Sequence, residues 1–305
     1  MRERVLNGRY RLGDLLGSGG MGEVWRARDE DLHRTVAVKL FDPPPDLAED
    51  DRSDLLARFR QEARAVAALS SPYVVTVHDH GLDEGGLPYL VMELVDGRSI
   101  QQLLREHGPQ PLDRVLGWAE QICRALETAH AAGLVHRDIK PGNVMVAVGP
   151  DGADRVKVLD FGIAKFLEGA EAASRLTRTG QMPMGSFHYM APEQFRMEEG
   201  DGRTDLYALG CVLYELLVGR QPFTGPAAGV MYHHLHDTPL LPSRARSQLT
   251  PALDRLILSL MAKNPADRPR DAAAALTEVQ ALRLGLVPRG ASAETAADGS
   301  DTRRS

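Results

Sequence analysis

Cysteine is nearly absent: Cys123 and Cys211 are the only two in 305 residues. Two thiols cannot staple a disulfide scaffold or fill a four-cysteine zinc site, and they suit a reducing compartment. An excess of basic charge is missing too. Lys plus Arg total 36 against 42 Asp plus Glu, a formal net charge of −6, so no general cationic surface offers itself to nucleic acid. Long apolar runs are also lacking. The most apolar stretch, Leu206–Val218, is interrupted by Glu215 and closed by Gly219. It falls short of the roughly 20 residues of a membrane helix and reads as a buried core helix. The opening MRERVLNGRY has no signal-peptide apolar region, so the chain reads as soluble. Ten histidines include His233, His234 and His236, but none has metal-site spacing, and they read as surface or packing residues.

What is present suffices for a packed core. The hydrophobic set is 43% and charged residues are 26%, and the length suits two domains or one two-lobed unit. The first ninety residues read mainly as strands: Arg9–Leu16, Glu23–Arg28, Thr35–Phe41, Tyr73–His80 and Tyr89–Leu94. One helix interrupts them over Ser53–Leu69, where Leu56, Phe59, Ala63, Val66 and Ala67 recur at helical spacing. Beyond Gly97 the pattern turns helical. Val115, Leu116, Ala119, Ile122, Cys123, Leu126 and Ala129 form one stripe, stopped by Gly133. Short strands follow at Val144–Val148 and Val156–Leu159. Helices return at Asp205–Val218, Pro251–Met261 and Asp271–Leu284. The fold class is therefore α+β and bilobal, and ligands often sit between such lobes.

Candidate chemistry begins at Leu16-Gly17-Ser18-Gly19-Gly20-Met21-Gly22-Glu23-Val24. Glycines let a hairpin backbone approach phosphates closely with its N–H groups free to donate. A dinucleotide fold would need a helix after the glycines, and here a strand follows, so that reading fails. Lys39 ends the apolar strand Val36-Ala37-Val38, where it could neutralise those phosphates. Glu62 lies three residues after Phe59 and one before Ala63, on the inward side of its helix, and is the carboxylate placed to hold Lys39.

Further on stand His136-Arg137-Asp138-Ile139-Lys140-Pro141-Gly142-Asn143 between a helix and a strand, and Asp160-Phe161-Gly162 after the next strand. Ala191-Pro192-Glu193, Asp205 in DLYALG and Arg268 in NPADRP complete the set. This ordered series resembles a Hanks-type bacterial serine/threonine protein kinase, of the PknB-like kind. The resemblance runs from about Tyr10 to Leu284. It implies an antiparallel β-sheet N-lobe with one helix (the family's αC) over about residues 1–95, and a mainly helical C-lobe over about 96–284.

The resemblance also implies roles. Phosphoryl transfer depends on positioning and charge neutralisation more than on covalent chemistry. Asp138 matches the aspartate that accepts the substrate hydroxyl's proton, and Lys140 the lysine on the transferring phosphate. Asn143 and Asp160 match the ligands of Mg²⁺, with Mn²⁺ as an alternative. Lys39, fixed by Glu62, matches the lysine on the α- and β-phosphates of ATP. Leu16, Val24, Ala37, Met92, Met145 and Leu159 match the walls of the adenine slot, with Met92 as gatekeeper and Glu93 and Val95 at the hinge. Glu193, Asp205 and Arg268 match structural positions. Lys140 and the loop before Ala191-Pro192-Glu193 favour protein Ser/Thr acceptors over a small-molecule acceptor. The presence of Lys39, Asp138 and Asp160 together argues against a catalytically silent scaffold.

Regulation has a matching signature. Arg137 resembles the arginine that pairs with a phosphorylated activation loop, since a guanidinium fork fits phosphate oxygens. Thr177 and Thr179 match the paired threonines autophosphorylated in such kinases. Ser186 stands where the family usually has threonine, and its hydroxyl is able to bridge Asp138 and Lys140. The resemblance further suggests homodimerisation through the N-lobe and a cytoplasmic location, either alone or as the inner domain of a membrane-anchored receptor kinase. Residues 285–305 are small and polar and read as a disordered tail or juxtamembrane linker. Within them, Leu286-Val287-Pro288-Arg289-Gly290 resembles a thrombin cleavage sequence, taken as coincidence beside so natural a low-complexity tail.

Overall fold

The computed structural model describes residues 4–19, 22–42, 49–161 and 186–285. Its N-terminal part is an antiparallel sheet of six strands in the order β1-β2-β3-β4-β6-β5. These are β1 Val5–Leu6, β2 Tyr10–Gly19, β3 Gly22–Asp29, β4 Arg34–Phe41, β5 Val77–Leu82 and β6 Pro88–Glu93. Strand β4 shows how one sequence serves two faces. Its β-branched residues favour a strand, and its side chains alternate across the sheet. Val36, Val38 and Leu40 join Tyr10, Leu12, Tyr89 and Val91 in one buried cluster. Phe41 turns to the opposite face and joins the main core. There it meets Phe59 of helix α1 (Glu49–Ala67) with ring centroids 5.4 Å apart. Lys39 shares the face of Ala37 and Phe41 by the same two-residue period.

Helix α1 starts earlier and ends earlier than its periodicity predicts, yet Phe59, Ala63 and Val66 are buried as expected. The expected strand at Tyr73–His80 needs correction, because β5 begins only at Val77. Residues 73–75 pair elsewhere: Val75 N–H donates to Val158 C=O at 3.0 Å and Val158 N–H to Tyr73 C=O at 2.8 Å. Backbone groups leaving one sheet find partners in another strand rather than staying unsatisfied.

The C-terminal part carries α2 Ile100–His107, α3 Leu112–Ala131, α4 Pro192–Phe195, α5 Arg203–Val218, α6 Ala227–His236, α7 Pro242–Ala245, α8 Pro251–Leu260 and α9 Ala272–Arg283. A small sheet, β7 Arg98–Ser99, β8 Val144–Val148 and β9 Asp154–Val158, lies in the order β7-β8-β9. Helix α5 is the axis of this lobe. Leu206, Leu209, Val212, Leu213, Leu216 and Leu217 are all buried, each worth about 1.5–3 kcal/mol when removed from water. A helix apolar all round belongs in a core. It ends at Gly219, whose φ of 83° lets the chain turn away. Helices α2, α4, α6 and α7 were not anticipated. The first had a readable signal: Ser99 caps α2 and Gln102 returns the bond to Ser99 N–H, a capping box.

Candidate active site

The loop between α3 and β8 is held in a shape it would not adopt alone. Arg137 has φ 65°, the left-handed region, which costs an arginine free energy. Asp205, in the first turn of α5 and fully buried, compensates. Its carboxylate accepts the N–H of His136 at 2.9 Å and of Arg137 at 2.7 Å, and lies 2.8 Å from His130 Nε2. A buried carboxylate needs such donors, and the loop needs such an anchor.

His136 fixes the next step. Its Nε2–H donates to Leu159 C=O at 2.7 Å, so Nδ1 is the acceptor for Asp138 N–H at 3.2 Å. The Asp138 carboxylate then gathers two donors on Oδ2: Lys140 Nζ at 2.6 Å and Asn143 Nδ2 at 3.1 Å. The Asn143 amide also donates to Asp138 C=O at 2.9 Å. With its nitrogen so engaged, Asn143 has its amide oxygen left to offer a cation. Leu159 N–H donates to Asn143 C=O at 2.9 Å, which sets that residue beside the end of β9.

Asp160 follows β9 with φ 60°, and Lys39 Nζ lies 2.7 Å from its Oδ2. Burial would raise the Asp160 pKa. The attraction and hydrogen bond of Lys39, helped by His136 and Lys140, outweigh it and hold the carboxyl below its ordinary value. Phe161 is buried and packs edge-on against His136, centroids 4.7 Å apart, which pins the segment from its apolar side. The expected Lys39–Glu62 ion pair does not form in this structure: the lysine is committed to Asp160.

The glycine hairpin divides into two kinds of glycine. A Cβ at Gly17 or Gly19 would meet nothing within 4 Å, whereas at Gly22, with φ +122°, it would stand 1.9 Å from Leu40 O. Gly22 thus permits β3 to approach β4, while Gly17 and Gly19 leave open space above the cleft. Ala37, Val75 and Met92 form a small buried cluster with Val24, Leu94, Val95 and Leu159 against it. Leu16 is half exposed and Met145 is half-buried on β8. Glu93 carries an unforeseen tie. Its Oε1 accepts from Lys157 Nζ at 2.6 Å and from Thr76 N–H at 2.7 Å, linking the end of β6 to β9.

Further from the cleft, Glu193 and Arg268 form a buried two-pronged ion pair at 2.6 and 2.7 Å. Thr204 Oγ1 adds a hydrogen bond to Glu193 at 2.9 Å. Among the expected residues, Gly20, Met21, Thr177 and Thr179 lie outside the described residues, as do residues 286–305. Sequence reasoning missed His130, Thr204, Lys157 and Gln194. These are common polar residues whose partners stand 11 to 75 positions away in the chain, so only the tertiary structure could find them.

A family model described as "Protein kinase domain" matches residues 10–279. The chain is 42% identical over 287 residues to the serine/threonine-protein kinase PknB of Mycolicibacterium smegmatis, covering 93% of this chain and 44% of that protein. It is 41% identical over 297 residues to PknB of Mycobacterium leprae, covering 96% and 46%. To the serine/threonine-protein kinase pkn3 of Myxococcus xanthus it is 41% identical over 289 residues, covering 92% and 52%. The chain thus spans about half the length of these relatives.

Proposed function

The chain belongs to the protein kinase family, and from that premise we propose that it is an ATP-dependent serine/threonine protein kinase, with residues 10–284 as its catalytic unit. One observation carries this reading: Lys39 pairs with Asp160 at 2.7 Å, Lys140 and Asn143 both hold Asp138 at 2.6 and 3.1 Å, and the backbone bond from Leu159, next to Asp160, to Asn143 brings the two groups side by side. The cleft suits a nucleotide. Its apolar cluster would take adenine, and the open space at Gly17 and Gly19 would take phosphates. Asp160 and Asn143 supply hard oxygen donors that fit Mg²⁺ or Mn²⁺. A divalent cation held there would neutralise charge on the β- and γ-phosphate oxygens.

Each side chain then has a task. Asp138, fixed by Lys140 and Asn143, orients the acceptor hydroxyl and takes its proton as the γ-phosphate transfers. Lys140 carries positive charge beside that same oxygen and stabilises the phosphoryl group in flight. Lys39 would exchange its bond to Asp160 for the α- and β-phosphates, with Glu62 as the carboxylate that receives it in that state.

Autophosphorylation on Thr177 and Thr179 belongs to this reading, with Arg137 as the receiving guanidinium and Ser186 as the residue whose hydroxyl would bridge Asp138 and Lys140. Self-association through the N-lobe belongs to it as well. Leu32, 59% exposed at the β3–β4 turn beside the Arg9–Asp29 ion pair, offers a surface. No helix among the described residues is long and apolar enough to cross a membrane, and we place this domain in the cytoplasm. The test is phosphosite mapping after incubation with Mg²⁺-ATP beside an Asp138→Asn control. Phosphate on Thr177 and Thr179 in the wild type alone is expected. Equal phosphorylation in the control, or no transfer to any protein acceptor by the wild type, would overturn the reading.

A further inference from the structure

Gln194 is the second residue after Pro192 in helix α4, far in sequence from the catalytic loop, yet its side chain ends on it. Its Nε2 donates to Arg137 C=O at 2.9 Å, while its Oε1 accepts Ala191 N–H at 2.9 Å. The carbonyl of Arg137 and the N–H of Asp138 belong to one planar peptide unit. That unit is therefore gripped at both ends, by Gln194 on its oxygen and by His136 Nδ1 on its N–H at 3.2 Å. Asp205 holds the other side of Arg137 through its N–H at 2.7 Å. A left-handed Arg137 is disfavoured by itself and persists only where its surroundings hold it, so these bonds set the plane that aims the Asp138 side chain.

We propose that Gln194 is a positioning residue for Asp138, transmitting the seating of the Ala191-Pro192-Glu193 segment to the catalytic carboxylate. The inference rests on the kinase reading above, since it assigns Asp138 as the proton acceptor. Its physical content is a two-ended amide. One end reads whether the backbone at Ala191 is in place, and the other sets the peptide before Asp138. A glutamine is suited to both because it offers an acceptor and a donor at fixed separation. Glutamate keeps the acceptor but presents a second oxygen to the Arg137 carbonyl, where repulsion replaces a hydrogen bond.

The experiment compares Gln194→Glu and Gln194→Ala with wild type in steady-state transfer to a protein acceptor, in thermal unfolding, and in backbone hydrogen exchange over residues 134–144. A misdirected catalytic group costs about ten- to a hundredfold in rate. Gln194→Glu is expected to lose that much in kcat, with KM for ATP and Tm near wild type, and with faster exchange at Arg137 and Asp138 only. A Gln194→Glu variant with wild-type kcat and wild-type exchange would overturn the proposal. So would a variant whose kcat loss merely follows a lowered Tm. Exchange needs no turnover, which separates the two readings. Loosened exchange in a chain whose wild type transfers no phosphate would uphold the positioning role of Gln194 on the loop and sink the kinase assignment alone.

Discussion

Lys39 of β4 lies 2.7 Å from Asp160, 121 residues later in the chain, and the bond ties the sheet of the N-lobe to the loop that follows β9. It spans the cleft between the lobes, so the protein's two halves meet through a charge pair at the point where phosphates would bind. The lysine is buried and holds the Asp160 carboxyl below its ordinary pKa.

Removing that lysine has two expected consequences. A carboxyl whose folded pKa is depressed contributes stability above its unfolded pKa, near 3.9, and loses it as pH falls through the folded value. In Lys39→Met burial outweighs the remaining pull of His136 and Lys140 on Asp160, so its pKa rises: stability is already lost near neutral pH, and its fall on acidification is shallower than in wild type. Circular dichroism against pH reads this shift. Transfer should fall on the order of a hundredfold or more, because a preorganised cation on the phosphates is gone.

The glycines of the β2–β3 hairpin should separate by effect. Gly22→Ala forces a Cβ against Leu40 O and a positive φ, so it should destabilise the N-lobe by about 1–3 kcal/mol or more. Gly17→Ala and Gly19→Ala meet open space and should leave Tm nearly unchanged while raising KM for ATP. Thermal melts and ATP titrations of the three variants check the contrast.

The Glu193–Arg268 pair is almost wholly shielded, with side chains 3% and 0% exposed. Breaking it from one side strands a buried charge, and Glu193→Gln or Arg268→Met should each cost about 3–5 kcal/mol. Arg268 also donates to the carbonyls of Ala262 and Arg203, so its loss orphans those groups as well. The double variant should cost clearly less than the two single costs added. A denaturant-unfolding cycle measures the coupling.

Lys263 offers a pH test remote from the cleft. Burial pulls its pKa down to about 8, and its ammonium sits 4.8 Å from the Phe223 ring centroid. Between pH 8 and about 10.4 the unfolded lysine holds a proton that the folded one has lost, so its contribution to stability rises with pH. Relative to wild type, Lys263→Met should be flatter across that window and comparatively more stable near pH 7. Urea midpoints at several pH values would show the difference, and parallel profiles would refute it.

Local patterns made much of this molecule readable. The alternation of Val36, Val38 and Leu40 marks a strand, the stripe from Val115 to Ala129 a helix, and the apolar run at Leu206–Val218, broken only by Glu215 among charged residues, a buried axis. Each depends on side chains within a few positions, which is the range over which helix and strand periods operate. The short elements were harder. Helix α2 lay hidden because eight residues carry little periodicity, and residues 73–76 look like a strand locally but pair with β9 and β6.

The sequence by itself determined which residue types could do chemistry here, and in what order they occur: a glycine hairpin, a lysine, an Asp-x-Lys-x-x-Asn loop and an Asp-Phe-Gly. Only the tertiary structure decided who holds whom. It gave Lys39 to Asp160 rather than to Glu62, set Asp205 beneath Arg137, and ran Gln194 from Ala191 to the peptide before Asp138. Such pairings join residues 57 to 121 positions apart. They are chosen by desolvation and hydrogen-bond demand inside the folded core, forces with no trace in local sequence.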